Sequence, residues 1–330
     1  MTTSQIRRRN LLAVLAGLAA WPVSGRAQTV RMARIAYLGA TSPSVIDPRQ
    51  IEQFKKGLAE NGLVEGRNVT VEYFWGEGSL ERLRRLAGEL AKRDLDVIVT
   101  AGGTAVGALT DAHVKTPIVF AIWGDPTGTG VVKSLAHPGG NLTGLSMANV
   151  HLESKRLEVL KEAFPALNRV AILYDPTSSA SLELDDAKSG AQALGVEPLI
   201  LEASDPARFE AIFAEAASHS ANGLACTASS ILNFHHQRLI ALAARHRLPS
   251  IWESSSYVRD GGLLSYGPNF PDMYRRSVGY VARILKGEKA SDLPIEQPVQ
   301  FELAVNLKTA KALDLTIPAT LLSRTDEVIE

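Results

Sequence analysis

One cysteine, Cys226, stands in a chain of 330 residues. A lone thiol excludes an internal disulfide, and its default state is a buried, inert side chain. No cysteine follows the early apolar run, which excludes lipid anchoring on a thiol there. That run, Leu11 to Ala20, is too short to span a bilayer. Excess charge of either sign is missing too, since 35 basic residues meet 35 acidic ones. Beyond residue 27 no Lys/Arg-rich run remains, which speaks against nucleic acid. Nucleotide and nucleophile motifs are absent as well. There is no GxxxxGK[ST] loop and no GxSxG elbow, and Gly102–Gly107 (GGTAVG) lacks the glycine that GxGxxG requires. His235 and His236 are adjacent, so they project differently from a helix and make a poor metal pair; a solvated helix face is the simpler reading.

The N-terminus combines Arg7, Arg8 and Arg9, the apolar run, and small residues Gly25 and Ala27 ahead of Gln28. Residues 1–27 therefore read as an export signal of twin-arginine type. Setting them aside leaves 31 basic against 35 acidic residues. Hydrophobic residues make up 45%, enough for a sizeable core, and the length suggests about two domains.

The chain is organised around the stretch Asp96–Pro126. Two continuously apolar runs, Val97–Thr100 and Ile118–Ile122, flank a helix-length segment, Thr104–His113. Each run ends in a Gly or small-polar loop. Strand, helix, strand with fully apolar strands is the mark of a parallel sheet covered on both faces. In such sheets the loops at the carboxyl ends of the strands form the ligand crevice. Upstream lie a strand at Arg34–Leu38, a helix from Pro48 to Asn61 stopped by Gly62, a strand at Val69–Phe74 and a helix at Leu80–Arg93.

At Arg169 the pattern restarts. RVAIL matches RIAYL, GLACTASS (Gly223–Ser230) stands in the place of DVIVTAGG, and LPSIWES (Leu248–Ser254) stands in the place of TPIVFAIWGD. Helices are expected at Leu182–Leu194, Asp205–Ser218 and His235–His246. One α/β unit is used twice, and its connections should be right-handed. The tail differs, with a strand in Gly261–Asn269, a helix at Tyr274–Lys286, an extended stretch at Pro294–Asn306 and a last helix at Leu307–Leu313. Leu142–Ser146, Leu263–Tyr266 and Gln300–Val305 sit where the chain could cross between halves three times.

RIAYLGATSP, DVIVTAGGT, IVFAIWGDP, HPGGNLTGLS, GGLLSYGPN and the C-terminal FELAVNLKTAKALDLTIPATLLSRTDEVIE together resemble the ABC-transporter substrate-binding proteins of the tryptophan/tyrosine type, over roughly residues 33–330. The resemblance implies a type I periplasmic-binding-protein fold: two Rossmann-like α/β lobes with parallel central sheets joined by a three-crossover hinge. On this reading 31–145 plus 268–298 form the first lobe and 147–266 plus 300–330 the second. It also implies no catalysis, no cofactor, and delivery of a captured small molecule to an ABC permease of the inner membrane by an exported, monomeric protein. Members that bind amino acids tend to carry Asp or Asn in the loop held here by Cys226–Ser230, and this chain offers hydroxyls there instead.

The candidate ligand-binding residues are the strand-end loops of both halves. From the first come Thr41, Ser42, Gly103, Thr104, Trp123 and Asp125. From the second come Tyr174, Ser178, Ser179, Thr227, Ser229, Trp252 and Glu253, with Tyr266 at a crossover end. Hydroxyls and helix-start N–H groups suit a carboxylate, as in an amino acid or related acid, or another hydrogen-bonding ligand group, with Thr41, Thr104, Ser178 and Ser179 first in line; Ser and Thr at those places also serve as helix caps. Trp123 and Trp252 end equivalent strands and could line an apolar ligand or pack at the lobe edge. Asp125 and Glu253 could receive an ammonium, and Asp125 equally suits the turn before Pro126. A sensing module for a membrane receptor is an alternative role. An enzyme in the same cleft is another, but no histidine sits at a predicted loop tip to serve it.

Overall fold

The computed structural model describes residues 31–147, 152–176, 181–298 and 300–330. The export signal, Ser178 and Ser179 lie outside them. Among the described residues no helix is long and apolar enough to cross a membrane.

The first sheet is built from β1 (Ala33–Gly39), β2 (Val69–Trp75), β3 (Val97–Ala101), β4 (Ile118–Trp123) and β5 (Leu142–Ser146). They are arranged β2-β1-β3-β4-β5, all parallel. Helices α1 (Pro48–Glu60), α2 (Leu80–Leu90) and α3 (Gly103–Asp111) connect them. Each helix starts and faces as its sequence dictates. Asp47 caps α1 by accepting the Arg49 N–H at 3.0 Å, with Pro48 opening the first turn. Ser79 accepts the Arg82 N–H at 3.2 Å, and Leu83, Leu86, Ala87 and Leu90 give α2 one buried stripe. All six residues of β4 are buried because helices cover both faces of the sheet.

The second sheet follows α4 (Leu152–Ala163). It holds β6 (Arg169–Tyr174), β7 (Glu197–Glu202) and β8 (Gly223–Cys226), with α5 (Ser181–Ala193), α6 (Phe209–Ser218), the short α7 (Ser230–Phe234) and α8 (His236–Arg245). β9 (Ser250–Trp252), the one-turn α9 (Ser255–Arg259) and β10 (Leu264–Pro268) come next. The chain then leaves for α10 (Phe270–Leu285) and returns as β11 (Phe301–Asn306), α11 (Leu307–Ala312), α12 (Ala319–Leu322) and β12 (Glu327–Ile329). The order is β12-β11-β10-β9-β8-β6-β7, parallel except between β10 and β11.

Each sheet carries an apolar layer on both faces. On the first, α1 and α10 cover one side through Phe54, Leu58, Met273, Tyr274 and Val278, while α2 and α3 cover the other. On the second, α4, α5 and α11 lie opposite α6 and α8. Helix α10 follows β10 in sequence but packs on the first sheet. The three extended segments expected at the crossings are therefore sheet members, β5, β10 and β11, and the changes of sheet come at their ends. Each has apolar residues that gain by pairing rather than by running free between layers.

In both sheets the strand order reverses once, between β1 and β3 and between β6 and β8. At such a reversal neighbouring loops diverge to opposite faces and open a crevice at the carboxyl ends. The two crevices face each other.

Two details differ from the sequence reading. Helix α10 starts at Phe270, four residues early, because Asn269 caps it through the Asp272 N–H at 2.8 Å. His236 is buried, between the Asn233 carbonyl and an Asp260 carboxyl oxygen, each at 2.7 Å, rather than on a solvated face. Cys226 is buried, and burial pushes its thiol up.

Candidate functional site

A cavity of about 420 Å³ lies where the strand-end loops of the two sheets meet. Its first wall is made by Gly39–Thr41 after β1, Ala101–Thr104 after β3 and Trp123–Gly124 after β4. Helix α3 opens this wall. Gly102 precedes it at φ +84°, a conformation that glycine adopts freely, and no side chain caps its first turn. The first amides of α3 thus keep their donor capacity at the cavity. Tyr37 and Tyr274 add a paired phenol, their hydroxyls 3.0 Å apart and buried. Burial raises both phenols, Tyr274 to about 12, so both stay neutral donors and acceptors. Trp123 is 2% exposed, packs edge-on to Phe120 and leaves its indole N–H without a partner.

The second wall is different in kind. Ser229 and Ser230 follow β8, Glu253 and Ser254 follow β9, and Glu183 projects from the first turn of α5. Ser229 caps α7, accepting from the Ile231 N–H at 3.1 Å, and donates to an Asp175 carboxyl oxygen at 2.6 Å. Glu183 accepts the Ala228 N–H at 3.0 Å. Glu253 is 6% exposed; Asn233 supplies a side-chain hydrogen bond to it, and its Oε2 is buried without a partner. Behind them Glu153 pairs with Arg156, both 3% exposed, and Arg156 also donates to the Tyr266 carbonyl at 2.8 Å.

Three carboxyls thus share one guanidinium. Burial raises Glu183 to about 7, helped by the charge of Glu253. Burial raises Glu153 to about 8 against the pull of Arg156. Glu253 is raised by burial too, with Arg156 and Asn233 opposing.

The walls touch. Ser230 donates to the Thr104 hydroxyl at 2.9 Å. A Cβ on Gly78 would meet the Phe234 ring at 2.7 Å, so the loop before α2 approaches α7 closely. Outside the cavity Arg259 lies 3.6 Å from Asp47 and pairs with Glu327, joining α9 to the start of α1.

Of the residues expected from sequence, Thr41, Gly103, Thr104, Trp123, Ser229 and Glu253 line this cavity. The others described do not. Ser42 bonds Ser44 at 3.0 Å on the exposed side of its loop. Asp125 folds back to accept the Thr127 and Gly128 N–H groups, each at 2.9 Å, which is turn chemistry. Tyr174 packs against the core under α4 and α5. Thr227 is buried against the Leu173 carbonyl. Trp252 is 2% exposed, bonds Ser250 at 3.0 Å and lies in the core with Phe209 and Leu239. Tyr266 stacks on Phe301. The two tryptophans end equivalent strands, yet only Trp123 reaches the cavity.

Glu183, Tyr37, Tyr257 and Tyr274 also line it and were not singled out from sequence. The signal for Glu183 was its place two residues into a helix that follows a strand-end loop. Tyr37 and Tyr274 gave none, being read as strand and helix residues.

Two α/β sheets whose switch-point loops converge on one cavity, with a chain that changes sheet three times, define the type I periplasmic-binding-protein fold. A family profile described as ABC transporter substrate binding protein matches residues 47–329, and the chain belongs to that family. It is a solute-binding receptor of an ABC importer. A tyrosine-binding protein of Clostridioides difficile (strain R20291) is 21% identical over 263 residues, covering 79% of this chain and 75% of its own. The ABC domain in complex with L-Trp from Streptococcus pneumonia is 22% identical, with a TM-score of 0.83 over 90% of this chain and 100% of that one. A ligand-free, open substrate-binding protein with adhesive properties from Clostridium difficile is 20% identical, with a TM-score of 0.65 over 90% of this chain and 99% of that one.

Proposed function

We propose that the protein captures an amino acid or related small carboxylate in the cavity between the sheets and hands it, outside the cytoplasm, to an inner-membrane ABC permease. The observation that carries this is the cavity walled by carboxyl-end loops of both sheets. A ligand seated there contacts both walls and stabilises the form in which they meet. Residues 31–145 plus 268–298 act as one lobe and 147–266 plus 300–330 as the other. The higher likeness to the L-Trp complex than to the ligand-free, open protein supports closure about the three crossings.

The ligand carboxylate faces the uncapped first turn of α3, where Gly103 and Thr104 stand beside Thr41. Trp123 and the phenols of Tyr37 and Tyr274 line its apolar part. Among the described residues the second wall bears carboxyls without a histidine partner at the cavity, which supports binding rather than catalysis. The twin-arginine-like leader supports export to the periplasm, where the receptor works as a monomer. Native mass spectrometry of the protein purified from its periplasm tests the reading: the expected result is one bound small molecule lost on denaturation. Absence of any bound or titratable solute overturns it.

A further inference from the structure

Three glycines stand in carboxyl-end loops of the first sheet, and each receives a side chain from the layers of the second. A Cβ on Gly78, after β2, would meet the Phe234 ring at 2.7 Å. One on Gly102, after β3, would lie 3.7 Å from the Ser230 hydroxyl, and one on Gly124, after β4, 3.3 Å from a Glu183 carboxyl oxygen. Ser230 and Phe234 are the first and last residues of the short α7. All three contacts are made between protein groups, so they form at closure whatever solute is enclosed.

Gly78 is the tightest seat, and its loop is braced. Gly76, Glu77 and Gly78 donate their N–H groups to the carbonyls of Gly39, Thr41 and Ala40 at 2.8, 2.9 and 2.9 Å, strapping this loop to the one after β1. Arg82 pins it again, donating to the Trp75 carbonyl at 2.8 Å and pairing with Glu77 at 3.1 Å. Glu77 and Gly78 hold φ +53° and +72°, and at the second of these a bare glycine leaves room for the ring. Thr41 belongs to the strap and lines the cavity, so seat and cavity share one loop.

The ring that fills the seat is held as firmly. Ser229 caps α7 at its start. Near its end the Asn233 carbonyl accepts from His236 Nδ1 at 2.7 Å, and His236 is itself buried against Asp260. The His235 ring lies edge-on to Phe234 at 4.9 Å and to Phe209 of the core at 5.7 Å. Phe234 thus projects from a braced helix onto a braced loop. Parts already ordered gain contact on meeting without a further loss of conformational freedom.

We infer that Phe234 seated on Gly78 is a lock that holds the two sheets together over the cavity independently of the solute. The lock rests on the receptor reading above and deepens it. It lowers the cost of closing, so a solute has less to supply to hold the closed form, and affinity for every solute rises alike.

A distance across the cavity reads the lock directly. Lys92→Cys, just past α2, and Gln237→Cys, on α8, put labels at exposed positions, while Cys226 is buried and stays unlabelled. Single-molecule energy transfer on the purified full chain, stripped of solute by unfolding and refolding, should show open and closed forms. Phe234→Ala should lower the closed-to-open ratio about threefold to tenfold. Gly78→Ala drives a Cβ into the ring and should lower it by about tenfold or more. Adding Phe234→Ala to Gly78→Ala should recover closed form relative to Gly78→Ala alone, because the clashing ring is gone. Phe234→Ala leaves the backbone of the seat untouched, so it decides the matter even where Gly78→Ala does not fold.

A solute-free wild type found only open, or Phe234→Ala at the wild-type ratio, overturns the lock and leaves the receptor intact. So does a double variant no more closed than Gly78→Ala, which would place the effect in the backbone at φ +72°. One fixed distance in the wild type and in every variant overturns the closing movement, and the receptor reading falls with the lock.

Discussion

The two walls of the cavity are built on the same plan and carry different chemistry. Each comes from loops at the carboxyl ends of parallel strands, beside a reversal of strand order. The first wall offers amides at the start of α3, hydroxyls and aromatic rings. The second offers carboxyls buried around one guanidinium. A repeated fold therefore duplicates positions, not roles. Where β4 ends in Trp123 at the cavity, β9 ends in Trp252 inside the core, and the residue after it, Glu253, takes the place at the wall. The difference lies in what the strand-end loops bring to the cavity: uncapped amides and paired phenols on one side, the carboxyls of Glu183 and Glu253 on the other.

Breaking the acidic wall from behind should have the largest effect. Arg156→Met removes the one cation from a buried cluster and should cost about 3–5 kcal/mol in urea unfolding above about pH 8, where Glu153 is ionised, the usual penalty for stranding a buried charge. Loss below about 1 kcal/mol there would mean that Glu153 stays neutral even in alkaline solution and that Arg156 contributes little. On the first wall, Gly102→Ala forces a side chain into φ +84° and should cost about 1–3 kcal/mol while tilting the α3 amides away. Solute affinity should fall with it, and unchanged affinity would detach the α3 amides from binding.

The pH dependence of the ligand-free protein distinguishes the walls next. Glu183 and Glu153 are raised to about 7 and about 8 from 4.5, so between those limits the folded chain holds more protons than the unfolded one. Stability from these groups is therefore complete below about pH 4.5 and is lost as pH rises through about 7 and 8. Thermal unfolding should move to lower temperature across that window, and Glu183→Gln should flatten the trend. A midpoint that climbs from pH 5 to about 8 would show that other groups govern the window. The smallest effect is expected where the walls touch. Thr104→Val removes the hydroxyl that Ser230 meets and should cost about 1 kcal/mol or less, read as a several-fold shift toward an open form in small-angle scattering.

Much of the fold is legible in sequence because β1, β3, β4, β6 and β8 are short apolar runs ended by Gly or hydroxyl residues. The amphipathic stripes of α1 and α2 read equally well. Helix α4 escaped because Glu153 and Arg156 interrupt its apolar face with charge, and their burial becomes intelligible only once they pair. The cavity lining is legible where backbone geometry fixes it, at Thr41, Gly103, Thr104 and Ser229. It was not legible for side chains at sheet edges or on helix faces. Tyr174 and Tyr266 follow apolar strands just as Tyr37 lies within one, and only the stacking of layers decides which ring meets the cavity. Asp125 and Glu253 both follow a strand-ending tryptophan, and one is consumed by its own turn while the other keeps one carboxyl oxygen without a partner at the cavity.

Helix α10 packs on the first sheet although it follows β10 of the second. Tyr274 completes the phenol pair with Tyr37, 237 positions earlier, and Leu145 bridges to Glu296. The amino-terminal layer cannot seal its core until residues near 296 have been synthesised. A growing chain ordinarily folds from its beginning. This one must keep its first β-strands unsealed until most of the polypeptide exists, and such long-range closure is slow. Late completion leaves a nascent chain open to chaperones while its destination is being decided.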